Sequence, residues 1–503
     1  MEIEVPVREP RSFSQIKRNH MHALRMDTVL FSIYYPCDPS SSTQSREGKP
    51  SKATWLPRPR TLTSKGYAKF FSIPHLPVTV YIAATTMFTK LPAFRNAKLA
   101  GDHAGDCPGA APRPPSGAYS ENTLAESGDK PRFPVIFFSH GLGGSRMCYS
   151  AICGELASNG IVVVAVEHRD GSGARSYVNI PPSGKLAECP SIGDANPRRF
   201  YKADYIFPLD NAQDTSPHNA QGVDTELRHA QIEMRMSEFE EVYYALQLLN
   251  NGHADLIYKN NLRKKGNARS SSRGLDGIDW SDWDDRLLLR NVTVMGHSFG
   301  GAMAVEIIRH NDRFPYIGQG ILLDAWGRAT PKVGKTRDGG AHYWMLTIKG
   351  STHLSQFDFA ILYPHWMSFF MKTMVNPKRA VGLTVNSSLE FLTRVLPLEL
   401  TAGNSWIDEG ILRTKVLVAD ELPHEHRPDS KWMASRLRIP NELRTRTSNW
   451  FRRKAKASAV ATDIKGKPLI GLVNFPLGSE VWMHFSPDGE QRQDPIRLSE
   501  EVT

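Results

Sequence analysis

The stretch VTVMGHSFGGAMAVEII, residues 292–308, decides how the rest of the chain is read. It opens as a strand-like apolar run and closes at helical spacing, with Ser298 set between Gly296 and Gly300 where the pattern changes. A strand that reverses sharply into a helix strains its central residue, so small neighbours are needed on both sides. The oxygen of that residue then stands clear of the sheet, and the helix start favours negative charge developing nearby. The rival reading is a glycine-rich turn without chemistry, and G-x-S-x-G alone does not separate the two.

The flanking segments do. PVIFFSH (134–140), IVVVAVEH (161–168), NVTVMGHS (291–298), GILLDA (320–325) and YWMLTIKG (343–350) are short apolar runs, each ending in small or polar residues. Runs of this length without alternation suit strands buried on both faces of a parallel sheet. DTVLFSIYYP (27–36) adds an earlier strand that stops at a proline. Between the first two runs, YSAICGELASNG reads as a helix closed by Asn159-Gly160, which completes a βαβ unit. Before the third, Phe239, Val242, Tyr243, Leu246 and Leu249 recur at helical spacing up to Asn251-Gly252, an apolar stripe for packing on the sheet.

A serine hydroxyl is a weak nucleophile at neutral pH and needs a base, itself oriented by a carboxylate. On this architecture the partners follow in the order Ser, acid, His, each just beyond a later strand. Asp324 ends GILLD and His353 follows YWMLTIKGST, so both fall where they are needed. Asp358, at a helix start, is a rival acid. His342 and His365 are rival bases further from a strand end. Asp324 as a turn cap and His353 as a surface histidine are the bland readings. The oxyanion of a tetrahedral intermediate needs backbone donors. The amide of Phe299, after the nucleophile, is one; the amide of Leu142, in the glycine-rich loop SHGLGGS (139–145), is the other, against the alternative of a flexible turn.

EHRDGSG (167–173) ends another strand with charged residues, but its one His beside carboxylates lacks metal-site spacing, and structural contacts beneath the site are the stronger reading. With no P-loop or G-x-G-x-x-G fingerprint either, no cofactor or metal is expected. Five cysteines without a C-x-x-C pair point to reduced thiols. The opening MEIEVPVREPRSFSQIKR lacks the basic tip and apolar core of a secretory signal, so an intracellular, cytoplasmic protein is expected. No uninterrupted run is long enough for a membrane span; Phe70–Phe94 is broken by prolines, a His and a Lys, and suits a buried or interfacial segment.

The net charge of +10 is uneven. Lys431–Lys456 carries nine basic residues against Glu442, and KNNLRKKGNARSSSR from Lys259 carries six with no acid. Solvated loops are the ordinary reading and anionic lipid the alternative; no nucleic-acid motif accompanies them. The expected organisation is an α/β domain over 1–400 with surface inserts at about 101–130, 171–222 and 259–285, one of them a candidate lid. A basic, partly helical or flexible extension follows over 401–503.

FFSHGLGGSRMCYSAICGELASNGIVVVAVEHRDGSGARSY, VTVMGHSFGGAMAV, ILLDAWGRA and MLTIKGSTHLSQFDFA together closely resemble the platelet-activating factor acetylhydrolases of the plasma and intracellular type II group. The resemblance is dense over about 133–182 and 290–400 and looser over 27–100. It implies an α/β-hydrolase with a Ser298–Asp324–His353 triad and oxyanion donors at Leu142 and Phe299. It also implies calcium-independent hydrolysis of short or oxidised sn-2 acyl esters of phospholipids, with peripheral contact to a membrane or lipid particle through Phe70–Phe94 or NELRTRTSNWFRRKAKA (441–457). The inserts and the extension have no counterpart in that resemblance. The alternatives are a carboxylesterase or lipase on other small or polymeric esters, and a lipid-binding module without turnover.

Overall fold

The computed structural model describes residues 1–18, 21–37, 52–101, 130–181, 200–208, 211, 214–215, 219–263, 274–327, 343–401, 406, 408–416 and 480–487. Most of the insert at 101–130, the middle of those at 171–222 and 259–285, the basic segment Lys431–Lys456 and the 441–457 stretch lie outside the described residues.

The central sheet contains β1 (Glu2–Ser12), β2 (Arg25–Tyr34), β3 (Phe133–Ser139), β4 (Val162–Val166), β5 (Leu287–His297) and β6 (Ile317–Leu323) in the order β1-β2-β4-β3-β5-β6. β2 is antiparallel to both its neighbours, and the four strands from β4 to β6 are parallel. β1 escaped the sequence reading because prolines interrupt it. As an edge strand it tolerates Pro6 and a register shift before Arg11.

Helices α1 (Arg60–Phe70) and α2 (His75–Thr85) precede β3, and α3 (Ser150–Ser158) joins β3 to β4. The long α4 (Thr225–Asn250) precedes β5, α5 (Phe299–Arg309) follows it, and α6 (Pro364–Met371) and α7 (Pro377–Val395) lie further along the chain. Alternate side chains of one strand enter opposite layers. Val135, Phe137, Val164 and Val294 pack with Phe239, Val242, Leu246 and Leu249 of α4 and with α5. Ile136, Phe138, Val163 and Met295 pack with Ile152 and Leu156 of α3 and with Val385 and Leu389 of α7. Enclosure on both faces explains the unbroken apolar runs, and each large side chain so buried contributes about 1.5–3 kcal/mol. This strand order, with helices on both faces and a strand–serine–helix turn after β5, is the α/β-hydrolase fold.

Two expectations need correction. The run 343–350 does not pair with the central sheet: β7 (Met345–Ile348) pairs antiparallel with β8 (Val481–Phe485), so part of the segment read as a basic extension returns to the α/β domain. Arg379 of α7 clasps Glu480 and Glu409, which secures that return. The insert at 171–222 is not wholly a surface excursion either. Residues 175–179 and 200–204 form a hairpin, and Asn179 donates from its amide and side chain to buried Glu4. Arg175 pairs with Asp204 at 2.6 Å across the hairpin. Buried polar contacts hold the insert where hydropathy alone gives no reason for packing.

Candidate active site

The carboxyl ends of the parallel strands bring the chemistry together, the usual place for a site in an open α/β sheet. Ser298 joins β5 to α5 with φ +56° and ψ −119° and is 8% exposed. A positive φ is costly for a residue with a side chain, so the surroundings must hold it. They do so by close approach: a Cβ on Gly296 would lie 2.1 Å from the carbonyl oxygen of Gly300, and one on Gly300 2.1 Å from that of Ser139. The two glycines are required by space. The Ser298 amide donates to Leu323 of β6, and its carbonyl accepts from Ala302 and Trp326, tying the turn to the strand that delivers Asp324.

Asp324 directly follows β6, and His353 opens a short turn beyond β7. The structure brings them to Ser298: the serine Oγ lies 2.8 Å from His353 Nε2, and His353 Nδ1 lies 2.7 Å from Asp324 Oδ2. A carboxylate only accepts, so Nδ1 carries the proton and Nε2 is free to take one from the serine hydroxyl. The hydrogen bond from His353 holds the Asp324 carboxyl below the ordinary carboxylate range. Of the rivals, Asp358 is buried beneath α3, accepting from Trp55 Nε1 and the Ser150 and Ala151 amides. His365 sits in α6, and His342 lies outside the described residues.

The loop after β3 has mostly committed amides. Gly141 donates to Tyr149 Oη, Gly143 to the Ser172 carbonyl and Gly144 to that of Gly141. Among the described residues no acceptor faces the amide of Leu142 or that of Phe299, at the start of α5. The loop runs against the serine: a Cβ on Gly141 would lie 2.9 Å from Ser298 Cβ. Two unengaged donors therefore flank one hydroxyl whose proton has an acceptor.

Sequence reasoning missed what supports this loop. Arg235 of α4, fully buried, donates to the His140 carbonyl at 2.8 Å, to Asp170 at 2.8 Å and to Ser172 Oγ, while its guanidinium lies 4.5 Å from the Phe299 ring. The signal was present, because Arg228, Gln231, Arg235 and Glu238 continue the apolar stripe of α4 on the same face, all of them buried. EHRDGSG supplies partners for three of them: Asp170 holds Arg235 and accepts from Gln231 at its carbonyl, and His168 meets Glu238. Among the described residues no cluster has the ligand set of a metal site.

A second serine–histidine–carboxylate chain lies below. Ser139 Oγ is 2.9 Å from His168 Nε2, and His168 Nδ1 is 2.6 Å from Glu238 Oε2, all buried. Burial pushes the Glu238 carboxyl up to about 8 and His168 well below its ordinary value, so both are neutral. Ser139 Oγ also accepts from Arg235 Nη1 at 3.3 Å. Ser139 and its two partners are fully buried, whereas the His353 and Asp324 side chains of the Ser298 relay reach the surface.

A family model described as "Platelet-activating factor acetylhydrolase, isoform II" matches residues 116–335 and 327–409, together more than half of the chain. A platelet-activating factor acetylhydrolase of Gallus gallus is 28% identical over 311 residues, 55% of this chain and 65% of that one. The chain thus spans less than two thirds of that relative. A putative phospholipase A2 of Schizosaccharomyces pombe is 58% identical over 50 residues, 10% of this chain and 11% of that one. A solved ferulic acid esterase from Streptomyces cinnamoneus aligns with 78% of this chain and 88% of its own at a TM-score of 0.39 and 17% identity. The fold assignment rests on strand order and the turn at Ser298.

Proposed function

The chain belongs to the platelet-activating factor acetylhydrolase isoform II family, and from that premise we propose that it is a calcium-independent serine esterase. Its substrates are glycerophospholipids with an acetyl or other short sn-2 acyl ester, and its products lysophospholipid and the short acid. The observation that carries this reading is the aligned Ser298–His353–Asp324 relay beside the unengaged amides of Leu142 and Phe299.

Ser298 Oγ attacks the ester carbonyl as its proton passes to His353 Nε2, and Asp324 stabilises the imidazolium. The carbonyl oxygen becomes an oxyanion and accepts from Leu142 and Phe299, a kind of contact worth about 10²–10³ in rate for each donor. Collapse breaks the ester C–O bond, and the departing lysophospholipid oxygen takes the proton from His353. Water then attacks the acyl-enzyme, giving its proton to His353. The acid leaves, and the proton returns to Ser298.

An apolar surface beside the site supports action at a lipid surface. Phe71, Ile73, Leu76 (67%) and Val80 around α1 and α2, with Trp366, Phe369 and Phe370 (63%) of α6, are exposed. Trp366 Nε1 donates to Tyr81 Oη at 2.7 Å, which joins α6 to α2. Phe70 reaches the oxyanion loop, since a Cβ on Gly143 would lie 2.4 Å from its ring. Contiguous exposed apolar groups on this scale mark interaction sites. Among the described residues no helix is long and apolar enough to cross a membrane; the proposed contact is a peripheral one made by these exposed apolar groups.

The test is an acyl-length series, acetyl to palmitoyl, at the sn-2 position of phosphatidylcholine vesicles, run with chelator beside soluble p-nitrophenyl acetate. Rates should fall steeply with acyl length and ignore the chelator. A Phe369→Ser/Phe370→Ser variant should keep the soluble activity and lose at least about tenfold on vesicles. Hydrolysis of soluble esters alone would favour a general carboxylesterase, and vesicle binding without turnover a lipid-binding module. Either result overturns the proposal.

A further inference from the structure

His297, the residue before Ser298, is buried with both ring nitrogens engaged. Its Nε2 lies 2.8 Å from the backbone carbonyl oxygen of His353, and its Nδ1 lies 2.8 Å from Tyr149 Oη. A carbonyl only accepts, so Nε2 carries the proton and Nδ1 is bare. Tyr149 must therefore donate its hydroxyl hydrogen to Nδ1, and its oxygen accepts from the Gly141 amide at 3.2 Å. Only the neutral imidazole with hydrogen on Nε2 satisfies every atom of this chain. Burial pushes the His297 pKa down to about 3, so that form persists wherever an esterase works.

The chain joins two parts of the site, beside the bonds by which Asp358 accepts from the Ser150 and Ala151 amides and donates from its own amide to the Cys148 carbonyl. At one end is the loop carrying Leu142, at the other the backbone of His353. The outer side of the relay is open, with the His353 side chain 43% exposed and that of Asp324 63% exposed. Exposed groups hold geometry weakly, because water competes for their hydrogen bonds. On the inner side the His297 ring lies 4.7 Å from that of His353, centroid to centroid, and fills the space behind it.

We propose that His297 and Tyr149 are positioning residues that tether His353 to the oxyanion loop, fixing the general base and one oxyanion donor as a single unit. This rests on the reading of Ser298 and His353 as nucleophile and base. Neither tether residue touches the reacting atoms. Their contribution lies in the placement of His353 Nε2, where an error near 1 Å costs on the order of 10²-fold in rate.

The experiment compares His297→Gln, His297→Asn, His297→Leu and Tyr149→Phe by kcat and KM on p-nitrophenyl acetate, with melting temperature and with Ser298→Ala as control. A Gln amide reaches the place of Nε2 and keeps the donation to His353; Asn reaches only the place of Nδ1. His297→Asn and His297→Leu should lose about 10²-fold in kcat with KM within about threefold, and His297→Gln should recover to within about tenfold of wild type. Tyr149→Phe, which loses one hydrogen bond at the far end, should lose about tenfold. Should His297→Leu not fold, the near-isosteric Gln and Asn pair carries the comparison. Wild-type kcat in folded His297→Asn, or equal losses in Gln and Asn, overturns the tether. Turnover persisting in Ser298→Ala overturns the underlying reading instead, so the two failures are distinguishable.

Discussion

Asp324 is the most exposed member of the relay, yet its φ of +44° shows a backbone committed to one orientation. Its proposed work is to keep His353 in the tautomer with hydrogen on Nδ1. An Asn there can offer its NH2 instead and turn the imidazole to the wrong tautomer, so Asp324→Asn should lower kcat by about 10³–10⁴-fold. Because the side chain is exposed, the melting temperature should stay near wild type; a variant that keeps a tenth or more of wild-type kcat contradicts the assignment. Residues of this kind were legible because each follows a strand and is of a type the chemistry demands. His297, Tyr149 and Arg235 were not, because their roles depend on partners far away in sequence. Nothing local says that Tyr149 meets His297 or that Arg235 reaches the His140 carbonyl.

At the scale of elements, the parallel strands β3 to β6 were readable, since burial on both faces leaves an unbroken apolar run. The turn between β5 and α5 was readable from two glycines whose Cβ positions are already filled by backbone. β1 was hidden by its prolines and charges, which an edge strand tolerates. The ladder of β7 with β8 was hidden for another reason: it joins residues more than a hundred positions apart, and a lone five-residue run near the end of the chain advertises no partner. α4 was half legible. Its apolar stripe is ordinary, but the polar residues that extend that stripe mark a helix whose first half holds the loop after β3, where Arg235 donates to the His140 carbonyl. The region Phe70–Phe94 contains a helix with Leu76 and Val80 exposed and Ile82 buried, followed by a short strand.

For the whole molecule, the buried imidazoles link stability to pH. Burial lowers His140 to about 4 and His297 to about 3, against ordinary values of 6.5. The unfolded chain therefore binds protons below pH 6.5 that the folded chain refuses, and stability present above that value is lost as pH falls. His168 and Glu238 drop out at mildly acid pH, because the folded pair and the unfolded pair each hold one proton. From pH 6.5 to about 5 the free energy of unfolding should thus fall with a slope of about two protons from these imidazoles, about 1.4 kcal/mol per pH unit for each, and His484, whose pKa burial also lowers, adds to it. Urea unfolding at stepped pH measures this. His297→Gln should remove about one proton from the slope, and a flat profile over that range would contradict buried neutral imidazoles.

The central claim is that of the two serine–histidine–carboxylate chains only the one that reaches the surface is catalytic, so that only Ser298 is a nucleophile. An organophosphate fluoridate tests it most directly, followed by intact mass and peptide mapping of the full chain and of Ser298→Ala. The account predicts a single adduct on Ser298 and no adduct on the variant. An adduct on Ser139, or labelling that persists in Ser298→Ala, would contradict it.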